Sequence, residues 1–443
     1  MKLKLTRGWF LFLSFAFFAG IVLRLIFVQD MEYKEDEEYN FNQTQFIGHT
    51  QPWPWYGIPS GVYIVNPGMS IWVFTLLAKL FGIHSPTSLA HAVQLFALGG
   101  MALILPFALK WIHTEDERKT WLWALALALV NPFLVLYQRK LWPEPFLPFF
   151  TMLTFMGWWK RRDRSGAFLW GLFGAFVGQV HMSGFFLAAA LFLWSIFFDK
   201  ALAAPQTSRI QWKYWFLGSC MGALPLIPWF LYILQNPVNH AITSGWSEAA
   251  QLKYWVFWFT DPLGLHLGNP LGLLRGPSHW DQISDFVRYP LLNGQATYLV
   301  GLAHFGAVIA AVLIFGKAFV SIWKSRRQIK SLLIGTESQT AFIQSSALFG
   351  CGILMTLTGV MIRRYYMAVT FPLEFICLVR MADLRSRLGH ILLITLWICE
   401  LFISANFVGY IHVNQGSTSG DYGPAYHTLK KPQVLSTRPV HGE

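Results

Sequence analysis

The sequence predicts an all-α polytopic membrane protein of about 11 transmembrane helices, with interfacial helices in the first outer loop. Three observations carry that class. Hydrophobic residues make up 54% of the chain and charged residues 13%, against about a quarter charged in a soluble globular domain. The apolar residues gather in runs of bilayer length, many ending in Trp or Phe, as interfacial belts do. The basic residues behind the net charge of +12 sit in short clusters between those runs. Such clusters orient membrane proteins, so nucleic acid is not an expected partner.

A spanning helix needs roughly 20 apolar residues, with about 17 as the usual lower limit. Long runs occur at 8–28, 88–109, 120–137, 213–234, 298–320, 341–361 and 389–410, and shorter ones at 145–159, 167–181, 183–198 and 366–381. The first run follows Lys2, Lys4 and Arg7 and has no small-residue cleavage site, which predicts a retained span rather than a signal peptide. The clusters Lys160-Arg161-Arg162, Lys324-Ser325-Arg326-Arg327 and Arg385-Ser386-Arg387 belong on the cytoplasmic side with the N-terminus. Parity then requires a hairpin over 167–198 that turns near His181. It also requires that 69–83, with Lys79 inside it, lie on the membrane rather than cross. The expected layout is a transmembrane core over 1–381, with its chemistry in loop 29–87, followed by a last span and a short outer tail over 382–443. Cys220, Cys351, Cys377 and Cys399 all lie in apolar segments and read as buried small hydrophobes, not as disulfides or metal ligands.

The outer segments hold the chemistry. Glu35-Asp36-Glu37-Glu38 directly follows the first span. A solvated acidic turn is the plain reading; the alternative is a carboxylate that takes the proton of an attacking hydroxyl. Arg139 and Lys140 lie on the side where the positive-inside rule disfavours cations, which suits an anionic ligand such as a lipid phosphate. Glu144 follows, placed to pair with Arg139 or to meet a polar substrate. Arg363 and Arg364, with Tyr365 beside them, repeat the pattern, and snorkelling to headgroups is the ordinary alternative. His181 stands at the expected hairpin turn, where a packing hydrogen bond is the commoner role. Glu374 and Glu400 lie in apolar surroundings without an assigned role. No P-loop, dinucleotide fingerprint, zinc spacing or nucleophile elbow is present.

The order of these features resembles a known family. A first span, an outer loop with Asp-Glu and a segment ending "LAKLFG" come first. "NPFLVLYQRKLWPEPFLPFF", "GQVHMSGFF" and "RRYYMAVTFPLEF" follow. The series over 1–381 is similar to the C-type glycosyltransferase superfamily (GT-C), above all to its protein mannosyltransferase and lipid A aminoarabinose transferase relatives. The resemblance implies an inverting transferase using a polyprenyl-phosphate sugar donor and an acceptor glycan, lipid or protein. Asp36 would be the base and Glu37 its neighbour, with the choice among Glu35 to Glu38 open. Arg139 and Arg364 would contact phosphate and Glu144 the sugar or acceptor, with Lys140, His181, Arg363 and Tyr365 also on the substrate side. No cofactor is obligatory in this reading, and a divalent metal stays open. The expected location is a bacterial inner membrane, with the site periplasmic. A transporter or flippase for a lipid-linked or polar solute, and a non-catalytic envelope subunit, remain as alternatives.

Overall fold

In the computed structural model, which describes residues 6–59, 64–202, 209–236, 246–265, 267, 280–417 and 422–429, the apolar runs fold as helices around one buried helix. The first, α1 (Arg7–Leu25), starts at Thr6, whose hydroxyl accepts the Trp9 N–H at 3.4 Å. Loop residues then form α2 (Glu35–Phe46), the antiparallel strands β1 (Tyr56–Pro59) and β2 (Val65–Pro67), and α3 (Met69–Phe81). At 13 residues α3 is too short to span, as expected of a helix lying at the interface. Next, α4 (Pro86–Ala102) and α5 (Ile104–Trp111) run on as one 26-residue apolar rod.

The buried helix is α6 (Glu115–Val130), in which every residue from Trp121 to Val130 is enclosed. It begins with Glu115, Asp116 and Glu117, whose charges suit the positive end of the helix dipole. Helices α1 and α4 and the later helices Leu373–Ala382 and Arg387–Asn414 pack around it. A 58° bend separates α6 from α7 (Pro132–Gln138). Pro132 has no N–H to continue the ladder, and Asn131 Oδ1 accepts the N–H groups of Phe133 (3.0 Å) and Leu134 (3.3 Å) instead.

Three helices follow: α8 (Leu147–Trp159), α9 (Arg164–Val180) and α10 (Ser183–Phe198). The hairpin turn between α9 and α10 falls at His181, where parity placed it. Then α11 (Trp212–Ala223) and α12 (Leu226–Gln235) meet at a 59° bend. Glycine sets the α9–α11 contact. A methyl group on Gly171 would overlap the Trp215 carbonyl oxygen, and one on Gly218 the Phe168 carbonyl oxygen. Small residues let the two backbones approach where the lipid supplies no hydrophobic drive.

Among the described residues, 6 helices are long and apolar enough to cross a membrane, or up to 9 if each bent pair is one span. The expected spans at 145–159 and 167–181 form helices of 13 and 17 residues, neither of which is among the helices long and apolar enough to cross. Parts of the third outer loop (237–245 and 268–279) and of the tail (418–421 and 430–443) lie outside the described residues. The described tail forms a two-stranded ribbon, Gly416–Ser417 with Gly423–Pro424. All four cysteines are free.

Candidate active site

The acidic run is the first turn of α2, so its like charges sit against the helix's unpaired N–H groups. Glu37 turns inward, 1% exposed, and its Oε2 accepts the Lys34 N–H at 3.1 Å. Burial pushes its carboxyl up to about 7, while Lys140 and the backbone bond pull the other way. Asp36, one residue earlier, points out of the helix and lines a cavity of 480 Å³. Partial burial raises its carboxyl above the usual carboxylate range, opposed by Lys140 and assisted by Glu35 and Glu32.

Five other predicted or neighbouring polar groups reach the same cavity. The turn between α7 and α8 supplies Trp142 and Glu144, the α9–α10 turn supplies His181, and the segment Arg364–Thr370 supplies Tyr365 and Tyr366. Glu144 is 3% exposed, its Oε1 lies 3.5 Å from His181 Nε2, and its Oε2 has no partner among the described residues. Burial is the main cause that lifts its carboxyl to about 8. Burial also pushes His181 down to about 4, so the ring is neutral. Its tautomer follows from geometry. Nδ1 lies 2.7 Å from Ser183 Oγ and 3.3 Å from the Ser183 amide nitrogen. An amide can only donate, so Nδ1 holds the lone pair and Nε2 carries the proton toward Glu144. Trp142 meets Tyr365 edge-on at 5.1 Å, and Tyr366 lies 5.1 Å from the His181 ring. Apolar side chains, among them Ile58, Ile64, Phe186, Met355 and Ile362, complete the lining.

The predicted cations do not all arrive. Arg139 lies away from the cavity wall, and its guanidinium caps α1. It donates to the carbonyls of Leu23 (3.0 Å), Arg24 (2.8 Å), Ile26 (2.7 Å) and Phe27 (3.0 Å). A helix C-terminus carries partial negative charge and unpaired oxygens, and a buried one attracts such a donor. Arg364 is likewise engaged: Nη1 donates to Asp261 Oδ1 at 2.8 Å, and the guanidinium lies 4.7 Å from the Phe257 ring centroid. Lys140 is 5% exposed, lies over Trp142 and forms an ion pair with Glu32. Arg363 differs: it does not line the cavity, but it is exposed and near enough to Tyr365 and Tyr366 to act on them electrostatically.

Glu32 is one charged residue that sequence reading missed. It is 1% exposed and pairs with both Lys34 and Lys140. The only signal was its place just ahead of the acidic run. Among the described residues no three His, Cys, Asp or Glu side chains converge as metal ligands.

No family model and no curated protein matches the chain. Solved structures of two other proteins are similar to it. One is ArnT from Cupriavidus metallidurans in the apo state, 14% identical with a TM-score of 0.48, over 86% of this chain and 60% of that one. The other is the oligosaccharyltransferase of Archaeoglobus fulgidus. Its apo form is 16% identical with a TM-score of 0.46, over 95% of this chain and 57% of that one. Its complex with an inhibitory peptide and a dolichol-phosphate is 12% identical with a TM-score of 0.46, over 94% and 56%. The chain thus spans less than two thirds of the length of each of these structures.

Proposed function

We propose that the chain is a membrane glycosyltransferase that moves a sugar from a polyprenyl-phosphate donor to an acceptor at the outer, periplasmic face, with Asp36 as general base. The observation that carries this reading is the make-up of the 480 Å³ cavity: an accessible carboxylate, Asp36, shares it with Glu144, His181 and Tyr365 and with a set of apolar side chains. A pocket mostly apolar, with few convergent polar groups, suits a ligand that is lipid at one end and sugar at the other.

The chemistry is one displacement. The Asp36 carboxylate takes the proton of the acceptor hydroxyl as that oxygen attacks the anomeric carbon. The bond from that carbon to the phosphate oxygen breaks, and polyprenyl phosphate leaves with the electron pair, inverting the centre. We assign the phosphate to Arg363, an exposed guanidinium near enough to the cavity residues Tyr365 and Tyr366 to act on them electrostatically. The neutral His181 and Glu144 present hydrogen-bonding groups to sugar hydroxyls without adding charge.

Replacement of Asp36 by Asn should lower transfer from a labelled polyprenyl-phosphate sugar by about 10²–10⁴-fold while membrane insertion stays intact. Full activity in that variant removes the base.

One observation favours the transporter reading. Glu400 is fully buried midway along the helix Arg387–Asn414, and its Oε2 has no partner among the described residues. Its Oε1 accepts from Asn131 at 3.1 Å, at the break between α6 and α7. Transporters place polar sites on broken helices in the membrane. Uptake or flipping by proteoliposomes, with no sugar transfer, selects that reading.

A further inference from the structure

The tail returns to the loop that carries the acids. Tyr426 N–H donates to the Met31 carbonyl at 2.9 Å, Ala425 bridges Glu32, and the Tyr33 and Tyr426 rings meet edge-on at 4.9 Å. Ala425 and Tyr422 are 0% and 2% exposed. Gly423, at φ +78°, lies so close to Lys34 that a methyl group there would overlap its side chain. Lys34 is the residue just before α2, and its N–H is the one Glu37 accepts.

One buried residue beside these contacts meets the tail through both its carboxylate and its backbone carbonyl. Asp30 is 2% exposed. Its Oδ2 lies 2.7 Å from His412 Nδ1, and its Oδ1 lies 3.1 Å from His427 Nδ1. His427 Nδ1 also lies 3.3 Å from the Gln29 carbonyl oxygen, which can only accept, so that nitrogen carries a proton. Tyr422 donates its hydroxyl to the Asp30 backbone carbonyl at 2.7 Å. The His412 ring stacks on Phe27 at 3.8 Å, and Phe27 is one of the carbonyls that Arg139 holds. Arg139 also faces Asp30 and Tyr422 electrostatically. Arg139, one of the cations that do not reach the cavity, is therefore built into the fastening of the tail.

We propose that Asp30 is a positioning residue. It fastens the tail across segment 28–34 through His412, His427 and Tyr422, and so fixes the start of α2 that presents Asp36. Four separate elements converge on it: the end of α1, the α7–α8 turn, the end of the last helix and the tail ribbon. The catalytic part of the inference rests on the proposed transferase reading. The fastening itself does not.

Amide hydrogen exchange and kinetics on the full chain in detergent test both parts. In Asp30→Asn, exchange over 28–40, 415–417 and 422–429 should rise together by about tenfold or more. The turnover number should fall about tenfold while the donor KM stays within about twofold, because α2 is displaced and the lipid-binding wall is not. Unchanged exchange in the tail overturns the fastening. A freed tail with 28–40 still protected, or with turnover unchanged, overturns the positioning. If Asp30→Asn does not fold, His412→Gln combined with His427→Gln carries the same readouts, since both side chains sit at the rim. If the wild-type chain transfers no sugar from any lipid-linked donor, the transferase reading fails, and the linked exchange of the two segments still decides whether Asp30 holds them.

Discussion

Asp36 and Glu37 are adjacent in sequence, yet one step along α2 puts them in different media. Asp36 reaches the cavity, and Glu37 is enclosed with Lys140. A helix rotates about 100° per residue, so neighbours cannot share a face. Glu144 carries a pH prediction. Its carboxyl is raised from 4.5 to about 8, so the folded chain holds a proton there that the unfolded chain has lost. Stability should therefore fall as pH rises from about 4.5 to 8 and level off above that range. Above about 8 a second charge joins Asp36 in the cavity and repels the phosphate, so transfer should decline. Thermal midpoints and rates of Glu144→Gln, which keeps the shape of the neutral acid, should show a flatter dependence in both. The arginines separate in the same way. Arg139→Ala leaves buried carbonyls unpaired and should cost about 3–5 kcal/mol, seen as lost folded protein rather than slower turnover. Arg363→Ala should leave the melting temperature alone and raise the donor KM by about 10–100-fold, the worth of a charged hydrogen bond.

At the scale of elements, helix breaks and glycines place the site. The α6–α7 bend needs Asn131 both as the cap of α7 and as the partner of Glu400. Asn131→Ala should lose the cap, about 0.5–2 kcal/mol, together with the Glu400 hydrogen bond, and denaturation in detergent should show the sum. The bend was not visible in the apolar run 120–137, because hydropathy reports how greasy a segment is and not its direction. The Asn-Pro pair was the local sign of it. Helices α9 and α11 make the complementary case. Gly218→Leu drives a side chain into the Phe168 carbonyl and should separate the two helices. A normal melting profile in that variant would show that the close approach is not required.

For the whole molecule, most of the architecture was legible. The apolar runs, the hairpin at His181 and the short α3 all follow from local hydropathy and charge. The juxtaposition of Asp36 with Glu144, His181 and Tyr365 was legible only through the order of motifs, since these residues come from four separate segments. The cations were not legible. Arg139, Lys140 and Arg364 look alike in sequence to Arg363, but a buried charge goes to whatever oxygen the fold brings near. Arg139 finds the end of α1, more than a hundred positions earlier, and Arg364 finds Asp261. What the sequence by itself determined is the membrane class, the positions of its helices and the acid at the mouth of the first loop, because each depends on residues close together in the chain. Which cations stay free for a ligand, and that the tail clasps the acid-bearing loop, only the tertiary structure decided, because ion pairing depends on distance in space.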